Sequence, residues 1–255
     1  MDNNLIKDFQ RKQKCIFIHI PKAAGTSIEK AIFQTDKWLS GHIKAQDYIQ
    51  SNPKEFENLF SFGFVRNPHD RLVSAFFYLK KGGGNIEDLQ WSQEHIQKYN
   101  SFEQFVLDLE NIKIRNKIFN WIHFIPQYCF LCDEQKNILV NFIGKVENIH
   151  NDFQFVLSKL NIKRTLTTSN PSSHRHYLSY YNKTTYKIIY KLYQYDYKLF
   201  NYDSEEEKIK KDFYFFFKVQ LFLKKIYHNS KFYLLHPKKF SRINHESNFH
   251  HTTNL

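Results

Sequence analysis

The sequence predicts an α/β fold, a three-layer sandwich in which a mostly parallel central sheet is flanked by helices. Three short apolar runs, each followed by a segment with helical periodicity, indicate strands at 15–20, 60–65 and 138–143. Alternation of strands with helices favours a parallel sheet, because the helices serve as crossovers between strands. With 255 residues, the chain has room for one such domain with additions.

The first strand leads into a glycine-containing loop and then into a helix. The run CIFIHI at 15–20 is apolar and ends at Pro21. Apolar residues then recur at helical spacing, at Ile28, Ala31 and Ile32. The loop is therefore predicted to lie at a helix N-terminus, where backbone N–H groups have no partners within the helix.

The second strand, 60–65, ends at an Arg-Asn-Pro sequence that also starts a helix. Asn67 is a favoured N-cap, and Pro68 suits the first helical position. Apolar residues at helical spacing continue until the three glycines at 82–84, where the helix is predicted to end.

The second half of the chain repeats the alternation. Ser101 and Gln104 have the spacing of a capping box and open a short helix. The apolar run 138–143 predicts the third strand, and the amphipathic stretch 149–160 predicts a helix. A further helix is predicted over 184–199.

Composition divides the chain into four segments. Residues 1–14 form a polar N-terminal segment, and residues 15–203 form the α/β domain. Residues 204–240 are basic and aromatic and predict a helical extension, whereas the polar residues 241–255 predict a disordered tail. No apolar run has the length of a signal peptide core or of a membrane span, so the expected location is the cytoplasm.

A basic surplus favours anionic partners. The formal net charge is +12 at pH 7, and the residues before the extension carry more than half of it. Nucleotides, nucleic acids, acidic glycans and anionic lipid surfaces all fit this charge, which does not choose among them.

The three cysteines do not suggest a disulfide framework. Cys129 and Cys132 form an isolated C-x-x-C sequence, whereas a zinc site needs about four ligands. Buried thiols are therefore the favoured interpretation, and metal binding or redox use is the alternative.

The sequence HIPKAAGTS at 19–27 has the ingredients of an anion-binding loop. Backbone N–H groups at a helix N-terminus attract anions, and Gly25 permits their close approach. The hydroxyls of Thr26 and Ser27 add donors, and Lys22 adds a mobile positive charge. The lysine precedes the glycine, so the loop lacks the Walker A order. An ordinary capped turn is the alternative.

The sequence FVRNPHDRLVSA at 64–75 places a second basic group at a strand end. Arg66 lies at the carboxyl edge, where α/β sheets bind ligands, and its guanidinium suits a phosphate. Ser74, two turns into the following helix, offers a hydroxyl. Asp70 and Arg71 are interpreted as a local ion pair on the helix surface.

Together, P-K-x-x-G-T-S after the first strand and F-V-R-N-P-x-x-R-L-V-S-A after the second resemble the carbohydrate sulfotransferases. These enzymes use 3′-phosphoadenosine 5′-phosphosulfate (PAPS), and the group with heparan sulfate 2-O-sulfotransferase and the chondroitin sulfotransferases is the most similar. The resemblance is strongest over 15–81. It implies a P-loop-like fold and sulfuryl transfer from PAPS to an acceptor hydroxyl without a metal.

The resemblance also implies roles for individual residues. The first loop would hold the 5′-phosphosulfate through Lys22, Ala24, Gly25, Thr26 and Ser27. The second motif would hold the 3′-phosphate through Arg66 and Ser74. Lys22 would also stabilise charge on the oxygen that leaves sulfur, by analogy with phosphoryl transfer. Members of the 2-O-sulfotransferase type have an arginine where His19 stands, which implies a weaker or pH-dependent phosphate contact here.

A general base is implied by the Ser-Gly-His-Ile sequence at 40–43, where the 2-O-sulfotransferase type carries its Gly-His. His42 precedes Arg66 by 24 residues, a similar distance. An imidazole titrates near neutral pH, which suits removal of a proton from an acceptor hydroxyl. Glu29 is a weaker rival for this role, and a plain surface histidine is the alternative for His42.

Two other functions compete with sulfuryl transfer. A P-loop-like kinase would need Mg²⁺ ligands, but Ala23 stands where a Walker loop has Ser or Thr. A non-enzymatic glycan- or nucleic-acid-binding protein would use a basic and aromatic surface. The Tyr- and Lys-rich stretch 177–202 is predicted to be helical instead. The cluster at 174–176 (His-Arg-His) would contact phosphate or an acidic glycan, or lie in a solvated loop.

The favoured function is therefore sulfuryl transfer to a carbohydrate. Acidic and lipid-linked glycans are among the acceptors considered, and no nucleic acid partner is expected. The extension adds peripheral membrane contact as a hypothesis.

Packing on the domain or on a second subunit is the favoured interpretation of the extension, and binding to anionic membranes is the alternative hypothesis, which makes the following prediction. If 212–235 is helical, one broad face is mostly apolar and lysines flank it, as in an interfacial helix. The full chain should co-sediment with anionic vesicles, less so at high salt because salt screens the attraction. A chain that ends at Tyr202 should stay in the supernatant. Equal sedimentation of the two would leave packing on the domain or on a second subunit as the role of the helix.

Overall fold

A computed structural model of the chain describes residues 4–35, 39–166 and 175–209. The chain divides into two compact units, Met1–Glu206 and Glu207–Leu255. Nearly all of the second unit lies outside the described residues, and so do most of the predicted extension and the whole predicted tail. Among the described residues, no helix has both the length and the apolar character that crossing a membrane requires.

The sheet is parallel, as predicted. Its strand order is β1 (Cys15–Ile18), β2 (Phe60–Val65), β3 (Phe142–Lys145). The second strand has the predicted bounds, whereas the first ends earlier, at Ile18. The third begins at Phe142 rather than at 138, because Ile138 forms an isolated bridge with Cys132 outside the sheet.

The α-helices of the described residues follow in chain order: α1 (Asp8–Gln13), α2 (Gly25–Phe33), α3 (Ala45–Ser51), α4 (Pro53–Glu57), α5 (Pro68–Lys80), α6 (Ile86–His95), α7 (Phe102–Asp108), α8 (Ile112–Phe119), α9 (Tyr128–Leu131), α10 (Ile149–Leu160), α11 (Lys183–Leu192) and α12 (Gln194–Leu199). Single 3₁₀ turns occur at Val146–Asn148 and Tyr177–Tyr180.

Helices cover both faces of the sheet and produce the three layers. Successive strand residues point to opposite faces. Phe17 and Phe62 pack on one side in a core that includes residues of α2 and α10. Ile16, Ile18 and Val65 pack on the other side with residues of α3, α4 and α9. Burial of these apolar side chains on both faces is the main stabilising contribution of the sheet.

Helix α5 begins as the sequence predicts. The Asn67 side chain accepts hydrogen bonds from the N–H groups of His69 and Asp70, and Pro68 occupies the first helical position. The helix predicted over 184–199 is interrupted, because Tyr193 leaves the helical backbone region at φ −105° and ψ 22°. Its hydroxyl donates to the carbonyl oxygen of Phe124, which ties the break to the domain core.

The N-terminal segment is more than a polar leader to β1. It contains α1 and contributes to the core, because Ile6 and Gln10 are buried. The Gln10 side chain donates a hydrogen bond to the hydroxyl of Tyr48 in α3. The segment has only a few apolar residues among many polar ones, so its buried side is not evident from the sequence.

Candidate active site

The first loop, residues 19–27, leaves β1 and enters α2 through two left-handed residues. Lys22 has φ 66° and Ala24 has φ 61°, a conformation that costs free energy for residues with a Cβ atom. Ala24 is the N-cap of α2, and within the described residues no side chain caps this helix. A tight turn that ends at an uncapped helix N-terminus directs N–H groups and the positive dipole end at one point, which favours an anion.

Gly25 makes room for a histidine ring. A Cβ atom on Gly25 would lie 2.0 Å from Nε2 of His19. The His19 side chain is buried, and its Nδ1 lies 3.4 Å from Oε1 of Glu29. The sequence predicts that Gly25 lets an anion approach closely. The structure adds a second requirement for glycine, because the His19 ring occupies the space that a side chain would fill.

Glu29 joins the first loop to the segment that carries His42. Its side chain is buried, and Oε1 accepts a hydrogen bond of 2.9 Å from the N–H of Ser40. Burial alone would raise the pKa of Glu29, but the hydrogen bonds and charge from His19 and Ser40 outweigh it and lower the pKa. These contacts suit a structural carboxylate better than a mobile base.

His42 is held in one tautomer. Its Nδ1 lies 2.9 Å from the carbonyl oxygen of His19. Because a carbonyl oxygen only accepts, Nδ1 carries the proton and Nε2 is the basic nitrogen. Burial, followed by the charge of His19, lowers the pKa of His42 to about 4, against the hydrogen bond to His19, which raises it. The ring is therefore neutral at pH 7 and can accept a proton.

Lys22 lies over an aromatic ring. Its Nζ is 3.8 Å from the centre of the Tyr78 ring in α5. Burial lowers the pKa of Lys22 to about 8; the charges of Arg66 and Arg71 add to the decrease, and Asp88 opposes it. Lys22 is thus mostly protonated at pH 7, in a region that disfavours its charge.

Arg66 stands at the end of β2, beside the first loop. Its Nη1 donates to the carbonyl oxygen of Lys22 at 3.4 Å, and its Nε donates to Asp70 Oδ2 at 2.7 Å. Gln127 fixes the Arg66 backbone, because its side chain accepts from the Arg66 N–H and donates to the Arg66 carbonyl, both at 2.8 Å. The predicted phosphate ligand is thereby placed next to the predicted phosphosulfate loop.

The predicted surface pair of Asp70 and Arg71 is wrong. Asp70 pairs with Arg66, one helical turn away. Arg71 is buried, and it donates from Nε to the carbonyl oxygen of Pro21 at 3.0 Å and from Nη2 to that of Ile125 at 2.9 Å. The two side chains leave the helix in different directions, because adjacent helical residues do not share a face.

Ser74 shares a face of α5 with Arg71 and Tyr78, which lie three positions before it and four after it. Both neighbours contact the first loop, at Pro21 and at Lys22. The buried Ser74 therefore lies on the side of α5 that faces this loop. The structure thus brings the predicted residues of both motifs to one edge of the sheet.

A buried polar cluster lies beside Lys22 and is not among the residues predicted from the sequence. The Tyr78 hydroxyl donates to Asp88 Oδ2 at 2.8 Å, and His123 Nε2 lies 3.0 Å from Asp88 Oδ1. Burial alone would raise the pKa of Asp88, but the contacts with His123 and Tyr78 outweigh it and lower the pKa to about 2. His123 Nδ1 is buried without a hydrogen-bond partner among the described residues. The HFIPQ sequence at 123–127, which contains His123 and Gln127, was the available signal.

The remaining candidates make none of the hydrogen bonds described for this cluster. His174 lies outside the described residues, whereas Arg175 and His176 are exposed, and the Arg175 guanidinium lies 5.3 Å from the centre of the Tyr180 ring. Cys129 and Cys132 are free thiols, and burial raises the pKa of both. A raised pKa disfavours the thiolate form that metal binding and redox chemistry use.

Fold and site define the class of protein to which the chain belongs. A family model described as "Sulfotransferase family" matches residues 8–203, which contain the sheet and every residue of the site. The chain is a member of the sulfotransferase family, and the resemblance found in its two motifs is confirmed.

The curated relatives are carbohydrate sulfotransferases. The chain is 22% identical to carbohydrate sulfotransferase 10 of Homo sapiens, with 76% of the chain and 66% of that protein covered. It is 23% identical to carbohydrate sulfotransferase 9 of Homo sapiens, with 76% and 52% covered. The chain thus spans about half to two thirds of the length of these relatives. No solved structure shows significant similarity to it.

Replacing Arg71 should loosen the first loop. In Arg71→Met, the carbonyl oxygens of Pro21 and Ile125 lose their donor, which costs about 1–3 kcal/mol for each group left unsatisfied. Urea unfolding should show this loss. Arg11→Met is the matched control, because Arg11 pairs with Asp8 and Glu55 at the protein surface, where such pairs contribute less than about 1 kcal/mol each. Equal stability of the two variants would contradict the anchoring role of Arg71.

Proposed function

We propose that the chain transfers a sulfuryl group from PAPS to a hydroxyl of a carbohydrate. The observation that supports this most is the meeting of Lys22, Arg66 and the uncapped N-terminus of α2 at one sheet edge, in a member of the sulfotransferase family. Three sources of positive potential at one place suit a ligand with several anionic groups.

The donor set fits PAPS, which carries anionic groups at its 5′ and 3′ positions. The left-handed turn of the first loop and the start of α2 would hold the 5′ end through Lys22, Ala24, Gly25, Thr26 and Ser27. Arg66, whose side chain already reaches the Lys22 carbonyl, and Ser74 would hold the 3′-phosphate. When bound, PAPS supplies the sulfuryl group and a leaving phosphate oxygen.

The protein's own part is proton removal and charge stabilisation. His42 takes the proton of the acceptor hydroxyl at Nε2, the nitrogen left basic by the contact of Nδ1 with His19. The acceptor oxygen bonds to sulfur as the bond from sulfur to the nucleotide oxygen breaks. Lys22 offers its positive charge to that departing oxygen. No residue is required to protonate it, because a phosphate oxygen is stable as an anion at neutral pH.

The proposed acceptor is a carbohydrate because the relatives are named carbohydrate sulfotransferases. The net charge of +12 suits an acidic glycan, whose negative charge it would attract. Radiolabelled PAPS offered with a panel of neutral and acidic glycans, in a buffer with EDTA, tests the proposal directly. Transfer of label to a glycan supports it, and no transfer to any member, with no binding of 3′,5′-adenosine bisphosphate, would refute it.

Arg66→Ala and Lys22→Ala should separate binding from turnover. Loss of a charged hydrogen bond costs about 1.5–3 kcal/mol, so we expect Arg66→Ala to bind 3′,5′-adenosine bisphosphate roughly ten- to a hundred-fold more weakly. Lys22→Ala should mainly lower kcat. Calorimetry and label transfer measure the two effects, with Arg11→Ala as the control. Unchanged nucleotide affinity in Arg66→Ala would contradict the 3′-phosphate assignment.

His42→Ala should leave nucleotide binding intact and lower transfer by ~10²–10⁴-fold. The base must be neutral to act, and its pKa is lowered to about 4. The parent's rate should therefore stay high below pH 6, where free imidazole would already be protonated, and fall only as the pH approaches 4. A pH–rate profile of kcat/KM measures this limb. Normal transfer by the variant would remove His42 from the mechanism and direct attention to Glu29.

A further inference from the structure

Lys22 is held by a seat that neither sequence motif contains. The seat consists of the Tyr78 ring, whose centre lies 3.8 Å from Lys22 Nζ, and of Asp88, which accepts the Tyr78 O–H at 2.8 Å. A cation over an aromatic face is attracted by the negative charge of that face. When the phenol donates to a carboxylate, its ring becomes more electron-rich, so the buried carboxylate strengthens the attraction across the ring.

The seat is built into the fold. Asp88 is only 3% exposed, and His123 approaches its second oxygen at 3.0 Å. The glycine run after α5 closes over the pair: a Cβ atom on Gly83 would lie 2.1 Å from Asp88 Cβ. One on Gly84 would lie 2.5 Å from the Tyr78 hydroxyl oxygen. Larger residues at these two positions would push the backbone away from the carboxylate, which gives the glycines a role beyond ending the helix.

Asp88 is also the charge that favours protonated Lys22. The groups acting on the ammonium are Arg66 at the end of β2, Arg71 in α5 and Asp88 in α6. Burial and the two arginines disfavour its charge, and among the described residues Asp88 is the carboxylate that counters them. Asp70, the other nearby acid, is engaged by Arg66. Tyr78 and His123 complete the surroundings, and both contact Asp88 as described above.

We propose that Tyr78 and Asp88 are positioning residues for Lys22: the ring fixes the ammonium beside the first loop, and the buried carboxylate keeps it protonated next to two arginines. The consequence for catalysis rests on the proposed function, because only a protonated Lys22 can stabilise the oxygen that leaves sulfur. Asp88 then sets the upper pH limit of the reaction without touching either substrate.

Competitive acetylation of Lys22 tests the proposal without donor or acceptor. Acetic anhydride reacts with the neutral amine, so the labelling rate of the Lys22 peptide against pH, read by mass spectrometry relative to exposed Lys54, gives the deprotonation midpoint. Removing the negative charge of Asp88 from the surroundings of the buried Lys22 ammonium should lower the midpoint by roughly one pH unit. We expect that shift in Asp88→Asn. His123→Gln is the matched control; it keeps the carboxylate and should leave the midpoint within a few tenths of a unit of the parent.

A second series keeps the test independent of whether Asp88→Asn folds. Tyr78→Phe and variants with mono-, di- and trifluorinated phenylalanine in place of Tyr78 keep the ring, while each fluorine withdraws charge from its face. The Lys22 midpoint should fall stepwise along this series. A midpoint that does not move with fluorination, or one in folded Asp88→Asn equal to the parent's, would overturn the proposal.

The pH dependence of transfer links the seat to the reaction. The alkaline limb of kcat/KM for PAPS, which reports the free enzyme, should coincide with the Lys22 midpoint, and in Asp88→Asn it should move down by the same interval as the labelling curve. If the midpoint shifts but this limb stays in place, Lys22 is not the group that limits the rate at high pH, and the catalytic part of the proposal is wrong. If the parent neither transfers label nor binds 3′,5′-adenosine bisphosphate, the proposed function fails. The labelling curves would still show whether Tyr78 and Asp88 keep Lys22 protonated.

Discussion

The shape of the site depends on one buried guanidinium. Arg71 lies inside the domain, where an unsatisfied charge would cost several kcal/mol. It is tolerated because its N–H groups are directed at carbonyl oxygens of two segments that are remote from it in the chain, at Pro21 and Ile125. The same contacts hold the start of the first loop against α5. The backbone is therefore fixed at Pro21, immediately before the left-handed turn that begins at Lys22.

A chain of buried polar contacts extends this anchoring to the second motif. Asp196 in α12 accepts the backbone N–H groups of Gln127 and Tyr128, each at 2.9 Å. The Gln127 side chain then makes two hydrogen bonds to the backbone of Arg66. Satisfied polar networks of this kind resist displacement, because moving one member leaves a buried partner without a hydrogen bond. The position of Arg66 is thus set by residues near the end of the domain.

Electrostatics prepare the site for an anion. Lys22, Arg66 and Arg71 lie close together, and their mutual repulsion contributes to the lowered pKa of Lys22. An anion bound between them would relieve this repulsion and favour the protonated lysine, so proton binding and anion binding are coupled. Asp70 and Asp88 moderate the positive charge at two separate places, because Asp70 pairs with Arg66 and Asp88 accepts from the Tyr78 hydroxyl.

The sequence by itself determined the features that depend on neighbouring residues. Strand β2, the Asn67 cap with Pro68, and the loop at the start of α2 follow from hydrophobic runs and from residues a few positions apart. Tertiary structure decided what needs a partner from a distant segment. Arg71, which the sequence suggests as part of a surface ion pair, is buried and donates to two backbone carbonyls. Asp88 contacts Tyr78 beside Lys22, although the two residues lie in different helices. Such partners come together only when the sheet and its helices pack, and burial then strengthens contacts that would be weak in water.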